Sequence, residues 1–162
     1  MKEFAVDYAK CAKLSNVRGG IDEYMLRDDI FELHTEIPIL NDYLKKCNQG
    51  KRGNAAKAKR GGYANRIKQG TQAAIAKELE AMPTYSHPIA IDFIWCEPKS
   101  KKGRKPDLDN RSFGKKFILD AMVQEQKIKD DSLKYVRAFS DKFQYTNEDK
   151  RKVIMHIKEV EN

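Results

Sequence analysis

Cysteine is scarce in this 162-residue chain: Cys11, Cys47 and Cys96 are odd in number and far apart. No CxxC pair exists, so neither a disulfide framework nor a cysteine zinc site is indicated, and a reducing compartment fits best. Long apolar runs are also missing. None approaches a membrane span, and the opening MKEFAVDYAKCAKL lacks the pattern of a signal peptide, so a cytoplasmic protein without membrane contact is expected. No internal repeat or low-complexity segment appears. No aromatic-rich ribonucleoprotein strand motif is visible, which disfavours RNA as the partner. His34, His87 and His156 share no motif and read as structural or surface residues.

The most telling absence is of acid. From Tyr43 to Lys77 there is not one Asp or Glu, while Lys45, Lys46, Lys51, Arg52, Lys57, Lys59, Arg60, Arg66, Lys68 and Lys77 all fall within it. An ordinary solvated face mixes signs. With a formal net charge of +8 for the whole chain, the segment points to a polyanionic partner. Gly50, Gly53, Gly61 and Gly62 predict a flexible basic loop at its centre.

Periodicity supplies the rest of the organisation. Residues 1–29 read as an N-terminal helical appendage and residues 30–162 as the main domain. In F-E-L-H-T-E-I, Phe31, Leu33, Thr35 and Ile37 share one face of a strand. A helix is predicted from about Tyr63 to Met82, with Ile67, Thr71, Ala74, Ile75 and Leu79 at helical spacing. P-I-A-I-D-F-I-W-C (88–96), apolar on nearly both faces, predicts a central strand. F-G-K-K-F-I-L-D-A-M-V predicts a helix burying Phe113, Phe117, Ala121 and Met122. Two strands close the chain, over 133–143 and 152–160. The order β-α-β-α-β-β argues an α+β domain, a mixed sheet with packed helices.

Between the second strand and second helix lies S-K-K-G-R-K-P-D-L-D-N, acids directly after bases. Asp107 and Asp109 point the same way if the backbone there is extended. Asp130 and Asp131 are adjacent like charges whose joint ionisation a cation would ease. Magnesium, which takes oxygen ligands and keeps several waters, suits two or three such carboxylates. An EF-hand is excluded, because Arg111 and Ser112 stand where an oxygen ligand and a glycine are needed. The alternative is a polar loop with its charges paired in solvent. If one helix starts at Asp109, Lys116 and Asp120 return to within about 20° of it, at roughly 100° per residue.

P-D-L-D-N (106–110), K-F-I-L-D-A-M (116–122) and K-D-D-S (129–132) together resemble the signature of the RusA family of Holliday junction resolvases. That signature reads D-[LI]-D-N-x-x-K-x-x-x-D-A-L, then D-D before a strand. P-I-L-N-D-Y (38–43) is similar to the family's P-x-x-N-x-Y loop, so the resemblance spans roughly residues 30–160. It implies a homodimeric, phage- or prophage-encoded endonuclease in a bacterial cytoplasm. Such an enzyme cuts four-way DNA junctions in recombination and repair, with Mg2+ or substituting Mn2+. By the same resemblance Asp107, Asp109 and Asp131 are metal ligands, Lys116 is the catalytic lysine and Asn41 touches DNA. The bases Lys57, Lys59, Arg60, Lys101, Lys102, Arg104 and Lys105 would hold the phosphate backbone. One departure stands out. The lysine follows the second aspartate by seven residues instead of four, as if three residues were inserted around Arg111 to Phe113, which leaves Lys115 as an alternative to Lys116. A non-catalytic DNA-binding module and a nuclease for flaps or forks are the competing functions.

Overall fold

The strand expected at the centre lies there. In the computed structural model, β2 (Ile89–Pro98) is flanked by β4 (Lys152–Val160), antiparallel, and by β3 (Val136–Thr146), parallel. β1 (Met25–Leu33) pairs antiparallel with β4, giving the order β1-β4-β2-β3. The structure describes residues 25–48, 55–99 and 106–161, with backbone alone at 25, 26, 48 and 55–63.

Burial explains the sheet. Ile89, Ile91, Phe93 and Trp95 join Val153, Met155 and Ile157 of β4 and Leu33 of β1 in one core. Among the described residues four helices accompany the sheet: α1 (Leu40–Asn48), α2 (Ala55–Leu79), α3 (Leu108–Ser112) and α4 (Lys115–Gln124). Ile75 and Leu79 of α2 enter the core, as do Phe117, Ile118 and Met122 of α4. Removing such side chains from water, at about 25 cal/mol per Å² of apolar surface, is the main force assembling the layers. The domain is α+β with a mixed four-stranded sheet. Among the described residues no helix is long and apolar enough to cross a membrane.

β3 and β4 are consecutive yet not neighbours, because β2 lies between them. The registers Pro98↔Thr146 and Cys96↔Lys152 put the end of β3 and the start of β4 at the same end of β2. Residues 147–151 therefore cross over the C-terminal end of β2. This crossing delivers Arg151 to the site described below.

Several boundaries differ from the sequence expectation. β1 runs from Met25 to Leu33, not from Phe31 to Ile37. Its ladder stops because Glu78 of α2 accepts the next backbone N–H, from His34 at 2.6 Å, and also the Thr35 hydroxyl. The alternation persists past that point, and Ile37 is fully buried. The basic segment is not a loop through its centre: Lys57, Lys59 and Arg60 lie in α2, which starts at Ala55. Ala55, Ala56, Ala58 and Ala64 favour helix enough to carry Gly61 and Gly62, at a cost of about 1 kcal/mol each. Ala74 is exposed, and Gln72 is buried in its place. β3 begins at Val136, not Leu133, because residues 132–136 form a turn in which Ser132 O accepts the N–H groups of Tyr135 and Val136, both at 2.9 Å. Neither α1 nor the short α3 ahead of α4 was expected as a separate helix, so the observed order is β-α-α-β-α-α-β-β.

Candidate functional site

Asp107 occupies the N-cap position of α3 with extended backbone (φ −70°, ψ 158°), and Asp109 sits in its first turn. Both are exposed. A continuous helix from Asp109 to Asp120 does not form. The chain turns at Phe113–Gly114, where Gly114 N–H bonds Arg111 O at 3.1 Å and Lys116 N–H bonds Phe113 O at 3.2 Å. Crowding explains the glycine at this turn: a Cβ on Gly114 would lie 2.9 Å from Ile37 Cγ2 and 3.1 Å from the Trp95 ring.

Asp107 shares a cleft of about 270 Å³ with Asn41, Asp42 and Lys45 of α1, together with Ile39, Pro106, Asn110 and Arg151. Tyr43 pins α1 in place, its ring 5.4 Å from that of Phe113 and 5.7 Å from that of Phe117. Two segments far apart in the chain, P-I-L-N-D-Y and P-D-L-D-N, thus meet at one cleft.

Lys116 and Asp131 form a second group. Lys116 Nζ lies 3.0 Å from Asp120 Oδ1 and 3.6 Å from Asp131 Oδ2. Asp120 also takes Lys68 Nζ at 2.8 Å and the Gln72 amide at 3.1 Å, both from α2. The hydrogen bond to Asp120 raises the Lys116 pKa further above that of an ordinary lysine, and the charge of Asp131 adds to this. Burial alone would raise the Asp120 carboxyl, but hydrogen bonds from Lys68 and Lys116 outweigh it and hold it below the ordinary range. Asp130 is turned to the backbone of the next residue, its Oδ1 accepting the Asp131 N–H at 2.9 Å.

Lys115, the alternative lysine, is committed elsewhere. Its ammonium pairs with Asp141 of β3 and lies 4.2 Å from the centre of the Phe139 ring. Asp141 also accepts the Trp95 indole N–H at 2.8 Å. Lys116, not Lys115, is the lysine beside Asp131.

Sequence reading missed a buried ionic cluster at the end of β2. Arg111 and Glu97 are both fully buried, with Arg111 Nε 3.0 Å from Glu97 Oε1. Arg151 Nε donates to Glu97 Oε2 at 2.8 Å, Arg111 Nη1 donates to Ile37 O at 3.2 Å, and the Arg111 guanidinium lies 4.9 Å from the Trp95 ring centre. Burial lowers the Arg111 pKa to about 10, which still leaves it charged at neutral pH. A hint existed in Arg111 standing within the inserted residues, but charged residues are rarely fully buried and the string gives no partner.

Asp107 and Asp109 carry the oxygens that magnesium takes, but the helical turn at Asp109 replaces the extended backbone that would aim both acids one way, and Asp109 does not line the cleft of Asp107. Asp131 is instead paired with Lys116, and among the described residues no three Asp, Glu, His or Cys side chains converge on a metal position. Lys101, Lys102, Arg104 and Lys105 lie outside the described residues, as do the side chains of Lys57, Lys59 and Arg60. His156 pairs with Asp28 and lies 3.9 Å from Asp92, bridging neighbouring strands. Compared with protein-family models and with curated proteins, the chain finds no match.

Proposed function

We propose that the protein is a magnesium-dependent, structure-specific endodeoxyribonuclease that hydrolyses phosphodiesters in four-way DNA junctions, as the resemblance to RusA implies. The observation that carries this reading is the shared cleft: Asp107 of P-D-L-D-N and Asn41 of P-I-L-N-D-Y line one cavity. Both strings belong to the resemblance, and nothing in the chain order requires them to meet.

By the resemblance Asp107 and Asp109 would hold the metal with Asp131 as the third acid, which requires Asp131 to leave its pairing with Lys116. Bound magnesium would acidify a water and stabilise charge on the phosphoryl oxygens. The chain's own residues do the remainder. Asn41 offers amide donors to the backbone at the cleft mouth, and the bases before Pro106 neutralise neighbouring phosphates without reading sequence. Lys116 stays protonated throughout the physiological range, because Asp120 and Asp131 favour its charged form. Its role is therefore a fixed positive charge offsetting what develops in the transition state, not a proton acceptor. A homodimer would present two such sites to the opposed strands of a junction.

A second reading, a DNA-binding module without catalysis, draws on one observation. Asp131 already has a cation partner in Lys116, so its charge is satisfied without metal.

The test is cleavage of a synthetic four-way junction, with flap, fork and linear duplex alongside, in magnesium or chelator. The junction is expected to be cut in magnesium alone. Asp131→Asn keeps size but removes the charge, so cleavage should fall by about 10²–10³-fold, as for other preorganised charge-stabilising groups. Gel-shift affinity should hold or rise. Parental cleavage by Asp131→Asn would refute the assignment of that acid, and a parental protein that binds junctions without ever cutting them would favour the second reading.

A further inference from the structure

Arg151 stands where the cleft and the buried ionic cluster touch. It lines the cavity that contains Asp107, and it also lines a neighbouring cavity of about 340 Å³ with His34, Glu36, Asp149 and Lys150. Its side chain is only 12% exposed, an unusual state for an arginine at a surface cleft. Glu97 holds it from beneath through Nε, and Glu36 lies 3.7 Å from Nη1. Glu36 is 75% exposed, so water screens that contact strongly.

Charge balance makes this position informative. Arg111 and Arg151 share one buried carboxylate, Glu97, while the second counter-charge, Glu36, is exposed and 3.7 Å away, so the buried part of the cluster carries one net positive charge. Burying charge without full compensation is costly. Arg111 is enclosed, with its Nη2 unpartnered among the described residues, whereas Arg151 reaches the cleft wall. An anion in the cleft would complete the balance. The cleft carries both signs, Asp42 and Asp107 with Lys45 and Arg151. Mixed lining suits a phosphodiester lying against a cation: acids for the cation, bases for the phosphate oxygens.

We infer that Arg151 is a phosphate-binding residue of this cleft, gripping a backbone phosphate of the DNA and preset for it by the Glu97–Arg111 pair. The inference rests on the nuclease reading above for the identity of the phosphate. A guanidinium already fixed through Nε loses little further freedom on binding, and its planar fork matches two phosphate oxygens. The residue-to-residue chain is explicit: Trp95 and Ile37 hold Arg111, Arg111 holds Glu97, and Glu97 holds Arg151.

The experiment measures junction binding in chelator, as a function of salt, for the full chain and Arg151→Gln. Loss of one charged phosphate contact should weaken binding by about tenfold. The slope of log affinity against log salt should become shallower by about 1, because one fewer counterion is released. A merely structural role would reduce the folded fraction, seen by circular dichroism, without moving that slope. If Arg151→Gln does not fold, Arg151→Lys carries the test: the slope is kept while affinity drops several-fold, since one ammonium cannot copy the fork. Unchanged affinity and slope in the folded variant tested would overturn the phosphate role and leave the nuclease reading standing. A parental protein with no affinity for junction or duplex DNA would overturn that reading, and this inference with it.

Discussion

Gly114 separates two short helices where a single one would be the simpler outcome. Two effects of opposite sign meet there. Alanine would favour helix by about 1 kcal/mol relative to glycine. Its Cβ would also strike the methyl branch of Ile37 and the ring of Trp95, both fully buried with no room to retreat. Overpacking of that kind costs about 1–3 kcal/mol. The clash should win, so Gly114→Ala is expected to lower stability by about 1 kcal/mol net. Urea unfolding would show it as a lower midpoint at unchanged m-value, and a raised midpoint would refute the packing argument. At this scale the string was a partial guide. Gly114 was recognisable as a weak point in a helix, but the string could not say that the break tucks Arg111 into the core. By the resemblance, Arg111 stands where three residues look inserted. Its burial depends on Glu97, Ile37 and Trp95, three partners that only the fold assembles around it.

Among the elements, α2 and α4 are joined by apolar contact and also by the Asp120 carboxylate. Lys68 and Gln72 reach it from α2, and Lys116 from its own helix. The depressed Asp120 pKa gives the sign of the pH effect. Because the folded-state value lies below the ordinary 3.8, Asp120 contributes stability that is present above that pH and is lost as pH falls through the folded value. Asp120→Asn should therefore be less stable at neutral pH by about 1.5–3 kcal/mol, the range for hydrogen bonds to a charged group. The deficit should close as pH falls through the folded-state value, below the ordinary 3.8, where the parental carboxyl also loses its charge. Thermal unfolding of both proteins from pH 2 to 7 checks this, and a gap independent of pH would refute it. Legibility varied with the strength of the pattern. β4 was readable because Val153, Met155 and Ile157 recur at every second position, with Lys152, His156 and Lys158 on the other face; Ile154, apolar and buried, is the exception there. α1 was hidden, since Pro38 and a mostly polar run conceal a helix whose anchor, Tyr43, finds its aromatic partners only after folding. Gln72 was unreadable as an interior residue, because its reason for burial is Asp120 on another helix.

For the whole molecule the decisive quantity is charge, +8 in total and concentrated in an acid-free segment that now divides between α1, α2 and the residues joining them. A helix fixes the spacing of its backbone positions, so the basic positions within α2 are set by the helix and not by a wrapping loop. Lys57, Lys59 and Arg60 lie at the start of α2, and Lys68 further along the same helix reaches Asp120 beside Lys116. One element thus connects the basic segment to the candidate catalytic lysine. Reversing Lys57, Lys59 and Arg60 to Glu takes the net charge from +8 to +2, each change removing two units. If these residues contact phosphates, junction affinity should fall and the salt slope should flatten by about 1–3. Cleavage at saturating protein should stay near the parental rate, because the triple change leaves Asp107, Asp109, Lys116 and Asp131 in place. That separates it from Asp131→Asn, which should bind well and cut poorly. Measuring affinity, salt slope and single-turnover rate on the same junction gives each variant its own signature. An unchanged salt slope in the triple variant would show that α2 faces away from the DNA, and the charge of the segment would then need another partner.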